Sequence, residues 1–337
     1  AALLAKESDG RPVKVVWTRD DDLHHSFYHT VSVEHLEAGI DATGKPMAWL
    51  HRSVGPTLSA LFVPDPKHES AAELGMGLVN VPFAVPNIRI ENPEAAARVR
   101  VGWYRSVSNL PHAFAIQSFV CEMAQAAGKD PKDYLLELSG PPRNIDPREL
   151  NDTWNYGESP TLYPVDIGRL RRVVTTAAEA AGWGKALGPR RGRGIAAHYS
   201  FTTYAAVVVE VAVGAKGELT IPRVDIAVDC GAIVNPERLR SQMEGAVMMG
   251  IGNALSSEIT FKAGLAQQNN FDTYEVLRMN AAPKRIEVAM IGGDYDAPLG
   301  GAGEPGVPPM APALCNAIFA ATGKRIRSLP IGNQLSA

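Results

Sequence analysis

The chain has 337 residues and a formal net charge of −3, with 45% hydrophobic and 20% charged residues. That length fits about two domains, and the composition is that of a globular chain with a sizeable core rather than a disordered one. No basic run exceeds "PRRGR" (189–193), which argues against a nucleic-acid-binding face, and no apolar run approaches the roughly 20 residues of a membrane span.

In chain order, "AALLAKESDG" has the pattern of a helix end closed by Gly10. A chain opening in mid-helix without Met leads us to expect residues upstream. "PVKVVWT" (12–18) is β-branched and predicts a strand, and "RDDDLHHSFYH" follows as a polar segment. Strands are expected at 30–37 and 47–54, joined by "DATGKP", and residues 56–95 are irregular and proline-rich. Residues 110–128 form a helix with Pro111 in its first turn and Gly128 at its end. A junction is expected at 139–147, dividing the chain into subdomains 1–145 and 146–337. Beyond it, Asp166 caps a helix that ends at Gly182, and strands follow at 205–213 and 219–228. A helix covers 237–255, a strand 286–291 and a last helix 311–322. Helices and strands mix without a strict βαβ rhythm, which gives an α+β fold class.

Four stretches carry candidate chemistry. "LGGAGEPGVPPMAP" (299–312) places one acid, Glu304, among glycines and prolines before an apolar helix, and "GGDYDAP" (292–298) before it is turn-rich. Glycine permits positive φ and close backbone approach to a ligand, and a helix start offers free N–H groups. A carboxylate in a deep site of this kind would suit a general base; the plainer reading is a cap on the helix. "VGWYRSVSN" (101–109) sets Arg105 at a loop-to-helix junction, suited to an anion or a cofactor phosphate; the plainer reading is a solvent-exposed arginine with Trp103 and Tyr104 in the core. "VDCGAIVNPERLRSQMEG" (228–245) puts Gln242 and Glu244 on an otherwise apolar helix, where buried polar groups would need partners, either a cofactor or the facing subdomain. In "HHSFYH", His25 and His29 would share a helix face as metal ligands do, but no acid or cysteine completes a set, so no metal ligands are expected. Cys121, Cys230 and Cys315 are far apart, too few for an iron–sulfur cluster and odd in number for a disulfide framework. Cys230 and Cys315 read as small core residues.

Five blocks together resemble the molybdenum-binding subunit of the xanthine dehydrogenase/aldehyde oxidase family. The likeness is greatest to the branch of isoquinoline 1-oxidoreductase and related bacterial aldehyde dehydrogenases. The blocks are "GRPVKVVWTRDDD" (10–22), "WYRSVSN" (103–109), "VDCGAIVNPERLRSQMEGAVMMGIGNAL" (228–255), "NFDTYEVLRMNAAPKRIEV" (270–288) and "GGAGEPGVPPMAPALCNAIFAATGKRIRSLP" (300–330). The last is the most specific.

The resemblance implies a molybdopterin cofactor carrying molybdenum, in its cytosine dinucleotide form, and Glu304 as catalytic base. The implied reaction is oxidative hydroxylation of an aldehyde or N-heteroaromatic carbon with water as oxygen source. It places Arg105, Ser106, Gln242, Gly301 and Gly303 against the cofactor. Where many members have Arg-Gly-Phe-Gly this chain has "RSVS" (105–108), so Val107 stands in place of a stacking phenylalanine and a purine pocket is not expected. "AAHYSFTTYAA" (196–206) falls on the substrate funnel, making His198, Phe201 and Tyr204 substrate contacts along with Val107. A Gly-Gly-Phe-Gly-type loop and a Gly-Gln loop are absent from this sequence. The resemblance therefore implies a C-terminal half whose partners are the N-terminal half of the molybdenum subunit and a small subunit with [2Fe-2S] clusters. A cytochrome or FAD subunit would complete electron transfer. A small-molecule substrate is expected and nucleic acid is not. The compartment is bacterial periplasm or cytoplasm. The rival readings are a catalytically inactive homologue that scaffolds assembly, and an anion-binding loop unrelated to molybdenum. The second lacks a lysine at P-loop spacing.

Overall fold

A computed structural model of the chain describes residues 1–292 and 295–336. Two short helices open it, α1 (Ala2–Glu7) and α2 (Arg19–His25). The expected strand at 12–18 does not form. Residues 11–18 have no regular structure, and Val15, Val16 and Trp17 are exposed. A β-branched run needs a neighbouring strand to satisfy its backbone, and among the described residues none pairs with it. Thr18 instead opens α2 through a reciprocal capping box with Asp21.

Strands β1 (Val33–Ile40) and β2 (Pro46–Val54) form an antiparallel hairpin, and β3 (Asn87–Glu91) adds in parallel beyond β2 after the short α3 (Ala71–Leu74). Helix α4 (Asn109–Ala126) follows, then α5 (Pro131–Ser139), which starts on an Asp130 cap. A two-strand ladder of β4 (Asn144–Ile145) and β5 (Val165–Asp166) leads into α6 (Ile167–Ala180). Asp166 accepts from the Arg169 N–H and closes the α6 start.

The main sheet is built from β6 (Arg191–Ser200), β7 (Thr203–Val213) and β8 (Leu219–Asp229), all antiparallel neighbours. After α7 (Pro236–Leu255) and the small ladder of β9 (Phe261–Lys262) and β10 (Leu265–Ala266), β11 (Ile286–Ile291) joins β8 in parallel. The sheet order is β11-β8-β7-β6, and α8 (Met310–Thr322) ends the fold. No helix among the described residues is long and apolar enough to cross a membrane.

Alternation on β7 decides the layers. Tyr204, Ala206 and Val208 pack into one core with α4, α5 and α6, while Val207, Val209 and Val211 pack into a second with α7 and α8. A fully buried valine contributes about 1.5–3 kcal/mol, so both faces hold the sheet in place. The first core draws on residues from Trp49 to Ala227. Helix α8 lies directly on β6: a Cβ at Gly192 would sit 2.5 Å from the Ala317 carbonyl oxygen, and one at Gly194 2.2 Å from that of Ala313. These two glycines fix α8, and α8 in turn fixes the loop that precedes it. The arrangement is a mixed α+β fold.

Candidate active site

The loop before α8 is pinned to the two-residue turn between β6 and β7. The Gly300 N–H donates to the Cys230 carbonyl (2.8 Å) and the Gly301 N–H to that of Phe201 (2.7 Å). Thr203 Oγ1 donates to the Gly301 carbonyl (2.7 Å). A Cβ at Gly300 would lie 2.2 Å from Thr203 Oγ1, one at Gly301 2.8 Å from the Phe201 Cβ, and one at Gly306 2.8 Å from the Ala246 Cβ. These three glycines admit the chain's own backbone and side chains. None of the loop's glycines has positive φ, which corrects that expectation. Gly303 differs from them: nothing lies within 4 Å of where its Cβ would be. The turn-rich 292–298 stretch lies partly outside the described residues.

Glu304 meets the loop before α4. Its Oε1 accepts from the Ser106 N–H (2.8 Å), and its carbonyl accepts from Ser106 Oγ (2.8 Å). It does not cap α8, whose first turn has no side-chain cap. Arg105 Nε donates to the Gly303 carbonyl (2.5 Å), and its Nη2 donates to the Gln242 carbonyl (3.1 Å) and Oε1 (3.0 Å). Burial lowers the pKa of the Arg105 guanidinium from its ordinary value, and the Glu304 charge opposes this. Five predicted residues, Arg105, Ser106, Gln242, Gly303 and Glu304, are thereby brought together with Gly301 next to them. The site is shallower than expected. Gly303 and Gln242 are exposed, and Glu304 and Glu244 are partly so. Gln242 finds its partner at the surface of α7.

Of the four expected substrate contacts, Val107 and Phe201 share one cluster, while His198 and Tyr204 are bonded elsewhere in the interior. Val107 is buried with Leu58, Met76 and Val101, and Phe201 packs against that cluster from the β6–β7 turn. His198 lies in the interior, its Nε2 2.8 Å from Asn109 Oδ1, and burial pushes its pKa down to about 3. The ring is therefore a neutral Nε2–H donor. Tyr204 is a correction: it is fully buried, its hydroxyl oxygen accepts from the Asp166 N–H (2.6 Å), and its ring lies 4.7 Å from the Arg169 guanidinium. It staples α6 to the sheet. His25 ends α2 and His29 lies beyond it, so the two share no helix face. His29 Nε2 instead lies 3.1 Å from the Val107 carbonyl oxygen. Among the described residues no group of three His, Cys, Asp or Glu is placed to hold a metal. Cys121, Cys230 and Cys315 are free and buried. A cavity of about 350 Å³ lined by Tyr163, Asp166, Arg169 and Asp229 lies apart from Glu304, and its Arg169 is already paired with Asp229 at 2.7 Å.

Sequence reasoning missed Asn109, Trp154 and Tyr156. Asn109 Oδ1 accepts from both His198 and the Tyr156 hydroxyl (3.1 Å). A single polar residue at a helix start, like single aromatics in an irregular segment, carries no periodic signal that could have marked it. Ser108 Oγ and Asn109 Nδ2, at the start of α4 close to Glu304, are buried and lack a hydrogen-bond partner among the described residues. An unsatisfied buried polar group costs about 1–3 kcal/mol, so two side by side point to a group that would complete them. With the space at Gly303 and the positive end of α4, this donor set fits an oxygen-rich anionic cofactor.

Two models described as molybdopterin cofactor-binding domains match residues 1–135 and 168–283. A nicotinate dehydrogenase chain of Pseudomonas putida is 30% identical over 98% of this chain and 28% of its own length. The beta chain of isoquinoline 1-oxidoreductase of Brevundimonas diminuta is 28% identical over 96% of this chain and 38% of its own length. The aldehyde oxidoreductase structure from Desulfovibrio gigas superposes with a TM-score of 0.74 at 14% identity, over 98% of this chain and 51% of that one. The chain belongs to the xanthine dehydrogenase/aldehyde oxidase family of molybdopterin cofactor-binding subunits. It spans less than half the length of these curated relatives.

Proposed function

We propose that this chain is the base-bearing part of a molybdenum hydroxylase acting on an aldehyde or N-heteroaromatic carbon. The observation that carries the reading is the Ser106–Glu304 contact beside two orphaned donors. Ser108 and Asn109 would hold the cofactor from the start of α4, with the open space at Gly303 beside the same loop, while Ser106 and Gly301 hold Glu304 and its loop in place. When bound, the molybdenum–pterin cofactor supplies the oxygen-transfer and electron-accepting chemistry. Glu304 Oε1 is held by the Ser106 N–H. Its Oε2, without a partner among the described residues, takes the proton from the water-derived nucleophile. Arg105 fixes the Gly303 carbonyl and so the distance of Glu304 from the reacting atoms. The chain would contribute subdomains 1–145 and 146–337, with an N-terminal half of the subunit completing the cradle. The cytosine dinucleotide form of the cofactor, and electron transfer to [2Fe-2S] clusters on a small subunit and on to a cytochrome or FAD partner, belong to the same reading. The compartment, periplasm or cytoplasm, goes with the partners. Metal analysis of the purified complex tests it: about one molybdenum per copy is expected, as the cofactor chemistry requires. A stoichiometric complex without molybdenum or pterin overturns it.

A further inference from the structure

Three consecutive pairs of non-glycine residues hold positive φ: Ser106 (78°) and Val107 (48°), Asn155 (42°) and Tyr156 (57°), Phe201 (50°) and Thr202 (57°). Each such residue costs about 1 kcal/mol or more, and such strain concentrates at binding sites. The 201–202 pair makes a two-residue hairpin turn of a kind normally given to Asn-Gly, here carried by an aromatic and a β-branched residue. The pairs come from three separate segments: before α4, between β4 and β5, and between β6 and β7.

All three meet beside the Glu304 loop. The Tyr156 and Phe201 rings lie 4.8 Å apart at 42°, and Trp154 continues the stack at 4.7 Å and 46° from Tyr156. All three rings pack on the cluster that contains Val107, yet each remains partly exposed. Phe201 holds the Gly301 N–H on its carbonyl, and Tyr156 reaches Asn109. Burial first, and the Glu304 charge among the lesser causes, raises the pKa of the Tyr156 phenol. Behind the rings lie Leu58, Met76 and Val101, and the nearby Arg105 gives its Nε to Gly303 and its Nη2 to Gln242. The surface the rings build on is apolar and aromatic.

We propose that Trp154, Tyr156 and Phe201 form the specificity wall of the Glu304 site and select substrates carrying a neutral planar aromatic ring over aliphatic ones. This rests on the function proposed above. A flat ring stacks on tilted aromatic faces with centroids about 4.5–7 Å apart, a geometry that a flexible or puckered chain cannot match. The aromatic surface missing at Val107 is thus supplied from a different loop.

The test uses the holoenzyme complex with Trp154→Leu, Tyr156→Leu and Glu304→Gln. The preference in kcat/KM for benzaldehyde over acetaldehyde should fall about tenfold in each leucine variant, at unchanged molybdenum content. A quinoline arm shows whether the ring preference extends to N-heteroaromatics; loss there alongside benzaldehyde supports a wall that reads the ring itself. Equilibrium binding needs no leucine variant: Glu304→Gln holoenzyme should bind benzamide about tenfold more tightly than cyclohexanecarboxamide by calorimetry. Equal affinities, or a fall that is the same for benzaldehyde and acetaldehyde, overturn the wall. Near-normal turnover in Glu304→Gln instead overturns the underlying function, so the two failures are distinct.

Discussion

Ser106 grips Glu304 twice across 198 residues of sequence, its N–H on Oε1 and its hydroxyl on the Glu304 carbonyl, both at 2.8 Å. Ser106 is itself fully buried and sits at φ 78°. Two opposing terms are therefore built into one residue. Ser106→Ala removes the hydroxyl bond and keeps the left-handed strain. Ser106→Gly removes the same bond but relieves the strain, by about 1 kcal/mol. Urea unfolding should rank the glycine variant about 1 kcal/mol above the alanine variant. The reverse order would mean that the left-handed turn carries no cost here.

Glu304→Gln separates holding from chemistry. The amide oxygen still accepts from the Ser106 N–H, so the loop and the molybdenum content should stay as in the unaltered complex. The base is lost, and kcat should fall about a hundred- to ten-thousandfold. Steady-state turnover beside metal analysis reads both quantities. Retained activity would remove Glu304 from proton transfer.

Much of the fold was legible where one period dominates. β7 is a nearly unbroken apolar, β-branched run buried along its length, and α7 announces itself with Asn235 as cap and Pro236 in its first turn. β6 escaped because Gly192 and Gly194 look like turn residues, when they are there to admit the α8 backbone. Residues 12–18 misled because a strand is defined by its neighbour as much as by its own residues. At the site, the blocks around Arg105, Gln242 and Glu304 could be named, but their contacts could not, since no spacing rule links residues 198 apart. Tyr204 was misplaced because an aromatic near a funnel motif looks the same in sequence whether it faces a ligand or a core. Its pairing with Asp229 on β8 turns it toward α6. Tyr156 was invisible because its place depends on a left-handed turn.

His198 gives the fold a pH dependence with a definite sign. Its folded pKa is pushed down to about 3 by burial from the ordinary 6.5, with the nearby His112 acting in the same direction. Between those values the unfolded chain binds a proton that the folded chain does not. Stability should therefore be unaffected by this group above about pH 6.5 and fall as pH drops, by at most about 1.4 kcal/mol per unit. His198→Gln keeps a donor for Asn109 and cannot titrate. Urea unfolding at pH 7 and pH 5 should show a smaller loss in the variant than in the unaltered chain. Equal losses would mean that His198 is reached by solvent and protonates in place.

Gly300 and Gly303 stand three residues apart and should respond to alanine in opposite ways. At Gly300 the new Cβ would meet Thr203 Oγ1 at 2.2 Å and the Thr202 carbonyl oxygen at 2.7 Å. The second of these is backbone and cannot swing aside. Gly300→Ala must lift the loop off the β6–β7 turn, breaking the Gly301 bonds to Phe201 and Thr203, at a cost of about 1–3 kcal/mol. At Gly303 the Cβ would meet nothing in this chain and φ is not left-handed, so Gly303→Ala should leave unfolding stability within about 0.5 kcal/mol. If Gly303 faces the cofactor, the same variant should lose molybdenum content or turnover while the chain stays folded. Thermal unfolding and metal analysis of the two variants side by side decide the matter. A Gly303→Ala complex with full molybdenum content and full activity would show that the open space at Gly303 faces solvent in the assembled enzyme, and would leave the cofactor's approach to Ser108 and Asn109 alone.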